Sequence, residues 1–127
     1  MVMRNKKKKI LIIDDDRAMS TSIKNLLVFD GKYDIQELAD SNWMEDVIKQ
    51  FQPDLIILDV KMPGKGGYEI CMYIKDNEAL KHIKIIGVSG LSGGIGAAFM
   101  EALGADKYFE KPFDTGKFRD QVKKLIA

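Results

Sequence analysis

Short apolar runs alternate with amphipathic stretches along the chain, and this alternation restricts the fold more than any other feature. Lys9 to Ile13 reads as a buried strand. Met19, Ile23, Leu26 and Leu27 follow at helical spacing, and Gly31 closes that helix. Tyr33 to Leu38 reads as a second strand. Met44, Val47, Ile48 and Phe51 fall on one helical face, which Pro53 stops. Leu55 to Leu58 has the continuous apolar character of a strand buried on both faces. Ile70, Cys71 and Ile74 mark a third helix, and Ile83 to Val88 a fourth strand. Ala97 to Leu103 is a short helix ended by Gly104, and Lys107 to Phe109 is a fifth strand. Phe118, Val122, Leu125 and Ile126 make a final helix. The glycine-rich stretches Met62 to Gly67 and Gly90 to Gly96 read as loops. Five β-α units in succession predict a parallel sheet with helices on both faces.

Two of these strands end in carboxylate. Ile10 to Ile13 runs into Asp14-Asp15-Asp16, and Leu55 to Leu58 runs into Asp59. In a doubly wound sheet the ligand site lies beyond the carboxyl ends of the strands, where strand order reverses. Asp14, Asp15, Asp59, Ser89 and Lys111 all fall at or just after such ends. Clustered acids repel one another unless a cation sits among them. The pattern therefore asks for a hard divalent metal and, with it, phosphate chemistry. Asp16 is expected to cap the following helix rather than bind metal. His82, the only histidine, is expected on a surface loop, which argues against a histidine-based site. Cys71 and the helical methionines read as packing. Trp43 is open between core and partner surface.

Composition removes other classes. The chain has 127 residues, enough for one ordinary domain, and a formal net charge of +1. That charge gives no bulk case for nucleic acid. Arg4 and Lys6 to Lys9 form a basic cluster, read as a solvated tail covering residues 1–7 before a domain over 8–127. No apolar stretch approaches a membrane span, and a single cysteine permits no internal disulfide. The expected location is the cytoplasm, with no membrane partner.

Four separated motifs carry a resemblance: Ile10 to Asp16; Pro53 to Asp59 running into Met62-Pro63-Gly64; Val88-Ser89-Gly90; and Gly104-Ala105-Asp106 running into Lys111-Pro112-Phe113. In this order and at these intervals they resemble a response-regulator receiver domain of two-component signalling, of the single-domain chemotaxis or phosphorelay kind. The resemblance runs from about Lys8 to Ala127. It implies an α/β, doubly wound (βα)5 three-layer sandwich of flavodoxin-like type, with a five-stranded parallel sheet in the order 2-1-3-4-5. It implies Asp59 as phosphoacceptor. It also implies Asp14, Asp15, Asp59 and the backbone carbonyl of Lys61 as the Mg2+ site, with Mn2+ as the alternative ion. By the same resemblance Ser89 and Lys111 contact the phosphoryl group, Tyr108 switches with Ser89, and the Lys111–Pro112 bond is cis. The implied partners are a sensor histidine kinase or a histidine phosphotransfer protein, and a downstream protein met through the fourth helix, fifth strand and fifth helix. With no effector domain after Ala127, output is expected by protein contact, from a monomer or weak dimer. On this reading the chain is a signalling phosphoacceptor rather than an enzyme.

Three other functions compete. A receiver used only for docking would carry the same residues. A Mg2+-dependent phosphohydrolase with an aspartate nucleophile, of the haloacid-dehalogenase type, wants a second acid two residues after the nucleophile, where Lys61 stands. A flavodoxin-like FMN carrier needs a phosphate loop after the first strand, where Asp14 to Asp16 would repel phosphate. The chain also departs from the receiver pattern. Gly66 replaces the usual Asp before the last glycine of its loop, Leu91 is apolar where many members are polar, and Lys61 puts a cation at the site mouth. The hypothesis for Lys61 is that it slows water attack on the phosphoryl group or competes for the acids. Phosphoryl half-lives of the parent and Lys61→Ala test it, with a change expected in the variant; equal half-lives refute it.

Overall fold

Alternation of side chains across three central strands decides the architecture. The computed structural model describes residues 7–40, 42–59, 67–90 and 95–127. Its strands are β1 (Lys8–Ile13), β2 (Tyr33–Leu38), β3 (Leu55–Asp59), β4 (Lys84–Ser89) and β5 (Lys107–Glu110). Helices α1 (Arg17–Val28), α2 (Met44–Phe51), α3 (Gly67–Lys75), α4 (Ile95–Ala102) and α5 (Thr115–Leu125) separate or follow them. All strand pairings are parallel, in the order β2-β1-β3-β4-β5. Both the α/β class and the strand order agree with the sequence reading.

Successive residues of a strand point to opposite faces. Leu11, Ile13, Ile56, Leu58 and Ile85 therefore pack on one side, against Met44, Ile48 and Phe51 of α2 and Ile70, Cys71 and Ile74 of α3. Ile10, Ile12, Leu55, Ile57, Ile86 and Val88 pack on the other, against Ile23 and Leu27 of α1 and Phe118 and Val122 of α5. Burying one such side chain contributes about 1.5–3 kcal/mol, so the two-sided sheet is the main store of stability. Phe118 forms a three-ring cluster with Phe113 and Phe109, at centroid separations of 4.8 and 5.1 Å.

The element ends have local causes. Asp16 caps α1 by accepting the Met19 N–H at 3.2 Å, and Asp114 caps α5 by accepting the Lys117 N–H at 2.9 Å. Helix α2 stops at Phe51, before Pro53, because the residue preceding a proline is pushed out of helical conformation. Gln52 turns left-handed there, with φ 52°. Helix α4 begins at Ile95 rather than Ala97. Gly96 falls in its first turn, whose N–H groups have no intrahelical acceptor in any helix. A 3-10 turn over Glu78–Leu80, capped by Asn77, has no counterpart in the sequence reading. Three residues are too few to generate a period.

Helices α1 and α5 lie side by side and are cross-linked. Arg119 hydrogen-bonds both carboxylate oxygens of Asp30 and lies 5.8 Å from the Phe29 ring centroid. The hydrogen bond from Arg119 holds the Asp30 carboxyl below its ordinary value, and burial opposes it. A carboxylate depressed in the folded state stabilises the fold above its unfolded value and loses that contribution as pH falls through the folded one. Asp30→Asn should therefore melt below the parent above about pH 5, with the gap closing as acid protonates Asp30. Melting curves across that range check this; a gap constant down to about pH 2 would count against the pairing.

Candidate functional site

The acids meet because the register makes them meet. Ile13 stands opposite both Leu38 and Leu58, and Asp59 stands opposite Val88. Asp14 therefore leaves β1 beside the end of β3, and Ser89 ends β4 one residue further along the same edge. The Asp14 N–H donates to the Leu38 carbonyl at 3.1 Å, and the Lys111 N–H donates to the Ser89 carbonyl at 2.7 Å. These bonds extend the sheet pattern just past its ends and fix where the side chains emerge. The Lys111–Pro112 peptide is cis, as the resemblance implied.

One carboxylate oxygen each from Asp14, Asp15 and Asp59 lies within 4.8 Å of the other two. Asp14 is 1% exposed and Asp59 7%, while Asp15 is open to solvent. Lys111 Nζ is 3.3 Å from Asp14 Oδ2 and 4.0 Å from Asp59 Oδ2. Among the described residues, one ammonium faces three carboxylates, an excess of acid over base. Three oxygen donors, one of them on the exposed Asp15, and an excess of acid over base fit a divalent cation of the Mg2+ type. Asp16 is not in this set; its side chain caps α1 and its N–H donates to Asp14 Oδ1 at 2.9 Å.

Ser89 is fully buried at the end of β4. Tyr108 stands opposite Gly87 in the β4–β5 pairing and packs at the margin of the α2–α3 side of the core. Its hydroxyl is enclosed and has no hydrogen-bond partner among the described residues. Lys61, Leu91 and the Met62–Gly66 segment lie outside the described residues.

His82 and Cys71, expected to be bland, are so, and Trp43, left open by the sequence, is placed. His82 is exposed, and Trp43 is 64% exposed, which settles it as surface rather than core. Cys71 is buried, and burial pushes its thiol up to about 11, so it stays protonated and unreactive. Among the described residues, the side-chain groupings that escaped the sequence reading include Arg119 with Asp30, and Glu37 with Ser20, Thr21 and Lys24. Each joins segments distant in sequence, with no local pattern to betray it.

Residues 10–123 match the family model of the response regulator receiver domain. The chain belongs to the response-regulator receiver family. It is 33% identical over 118 residues to the DNA-binding dual master transcriptional regulator RpaA of Synechocystis, covering 93% of this chain and 48% of that protein. It is 33% identical over 126 residues to histidine kinase P4 of Formosa agariphila, covering 99% of this chain but 9% of that protein. The chain thus spans about half of the one relative and under a tenth of the other. A CheY-like response regulator receiver domain protein from Methanospirillum hungatei superimposes with a TM-score of 0.83 at 30% identity, covering 94% of both chains. The signal receiver domain of a DNA-binding response regulator from Colwellia psychrerythraea gives 0.87 at 27%, covering 94% of this chain and 98% of that one. The fold is that of receiver domains of two-component systems. Among the described residues, no helix is long and apolar enough to cross a membrane.

Among the described residues, Lys111 is the cation in contact with both almost buried carboxylates, and its loss leaves them to repel each other. Lys111→Met should lower the melting temperature in chelator and show a larger rise on adding Mg2+ than the parent, because a ligand that binds only the folded state stabilises it. Calorimetry with EDTA and with Mg2+ checks this; equal rises in the two proteins would refute the charge argument.

Proposed function

We propose that this receiver accepts a phosphoryl group on Asp59, with Asp14 and Asp15 as the metal pair. The observation that carries the reading is the meeting of three carboxylates within 4.8 Å beside Lys111 Nζ. A carboxylate oxygen of Asp59 attacks phosphorus of a phosphohistidine in line with the phosphorus–nitrogen bond. That bond breaks, the imidazole leaves and takes a proton from solvent, and Asp59 becomes an acyl phosphate. Most of the catalysis in such a transfer is positioning and stabilisation of charge on the equatorial oxygens. A bound Mg2+ supplies positive charge for those oxygens and for the acids. Asp14 and Asp15 would hold it, with Asp59 and the Lys61 carbonyl completing the set. Lys111 trades its carboxylate contact for a phosphoryl oxygen, and the Ser89 hydroxyl donates to another.

The donor is a sensor histidine kinase or a histidine phosphotransfer protein, the partners that suit a phosphoacceptor aspartate. Output passes through α4, β5 and α5. Movement of Ser89 toward the phosphoryl group makes room for Tyr108, whose hydroxyl has no hydrogen-bond partner among the described residues. The charge added at Asp59 thus biases two arrangements of that face. The protein works in the cytoplasm, as a monomer or weak dimer, and as a phosphoacceptor that catalyses its own modification and hydrolysis rather than turning over a substrate.

Incubation with acetyl phosphate, with and without Mg2+, read by intact mass, tests the reading. One phosphoryl adduct is expected with Mg2+, far less without it, and none in Asp59→Asn. No adduct in either condition, or the same adduct in the variant, would sink it.

A further inference from the structure

The first turn of α1 is tied to β2 by a carboxylate that phosphoryl transfer does not use. Ser20 is 3% exposed, and its hydroxyl donates to Glu37 Oε1 at 2.6 Å. Thr21 Oγ1 donates to the same oxygen at 3.4 Å, and Lys24 Nζ lies 3.6 Å from Oε2. Glu37 stands opposite Ile12, two residues before Asp14. From Ser20 the bonds continue without a break to the acidic pocket. The Ser20 N–H donates to the Asp16 carbonyl at 3.0 Å, and the Asp16 N–H donates to Asp14 Oδ1 at 2.9 Å. On the strand side, Leu38, the neighbour of Glu37, accepts the Asp14 N–H.

The tie matters because the space around it is open. Asp14, Arg17, Ser20, Thr21, Lys24 and Glu37 are among the residues lining a polar cavity of about 500 Å³, so on this side of the first turn of α1 the polar tie is what meets β2, while Met19 packs into the core on the other side. The contact of Glu37 with Lys24 is a half-exposed ion pair of the weak kind. The bond from a buried hydroxyl to a carboxylate is the strong kind.

We infer that Glu37 is a positioning residue for the acidic pocket. Acting through Ser20, it holds residues 14–16 in the shape that presents Asp14 and Asp15 together. The inference rests on the reading of these two as the metal pair. Amide hydrogen exchange of the metal-free protein and titration with Mg2+ test it separately. In Glu37→Ala the Asp16 and Ser20 amides should exchange about fivefold faster or more, with a similar rise in the Mg2+ dissociation constant. Glu37→Gln keeps an acceptor oxygen for Ser20 but loses the charge that strengthens the bond, and should fall between the parent and Glu37→Ala in both measurements. Lys24→Met removes only the ion pair and should stay within about twofold of the parent in both. Ser20→Ala breaks the same bond from the other side, and serves if Glu37→Ala does not fold. Parent-like Asp16 exchange in a folded Glu37→Ala or Ser20→Ala would overturn the inference. So would Lys24→Met matching Glu37→Ala, since the ion pair would then be the tie. If exchange responds but the parent itself binds no Mg2+, the positioning of the loop stands and the metal reading of Asp14 and Asp15 fails.

Discussion

Repulsion among carboxylates at one edge of the sheet is the constraint to which the rest of the molecule answers. Asp14 and Asp59 are almost buried, close together and of like charge. A fold tolerates that only with a cation in contact and a backbone stiff enough to keep the acids from parting. Lys111 provides the first, held in place by its own N–H on the Ser89 carbonyl. The buried strands provide the second. A central strand with every residue of Leu55–Asp59 buried cannot shift its last carboxylate without shifting four apolar side chains. The apolar core thus confines an unfavourable electrostatic arrangement that a ligand with positive charge relieves.

Most of the architecture was legible because its signals are periodic. Helices α1, α2 and α5 each repeat an apolar position every three or four residues over at least two turns, and β3 is apolar without a break. Where the signal was short or mixed, boundaries slipped. Helix α4 follows glycines and begins two residues early, and the 3-10 turn over Glu78–Leu80 was invisible. Trp43 could not be placed because the start of a helix has no established inward face until the period is under way. The structure puts it outside.

The site was legible for another reason. Parallel topology sends every strand's carboxyl end to the same edge, so residues 14, 59, 89 and 111 converge once the strands are recognised. Distances were not legible. Nothing in the sequence says that Lys111 stands nearer Asp14 than Asp59, or that Glu37 reaches Ser20 across the helix–strand boundary. Such contacts depend on rotamers and on the crossing of elements far apart in the chain, and neither leaves a local pattern.

The opposite edge of the sheet has acids of its own, with a different task. Asp54 accepts the Lys9 N–H at 2.8 Å, while its own N–H and carbonyl pair with Lys9 and Lys84. Asp106 likewise accepts the Ile85 N–H at 2.8 Å and returns its own N–H to the Ile85 carbonyl. A parallel sheet has no hairpins to align its strands, so these side chains act as alignment pins where β3 and β5 enter. A slip of one residue would turn each side chain of the slipped strand to the other face, and Asp59 with them. The five residues of β3 span about 16 Å. An aspartate lost at Asp54 could therefore silence the far edge without touching it, and a screen for inactive variants would collect two classes of acid: those that do the chemistry, and those that keep the strands in step so that it can be done.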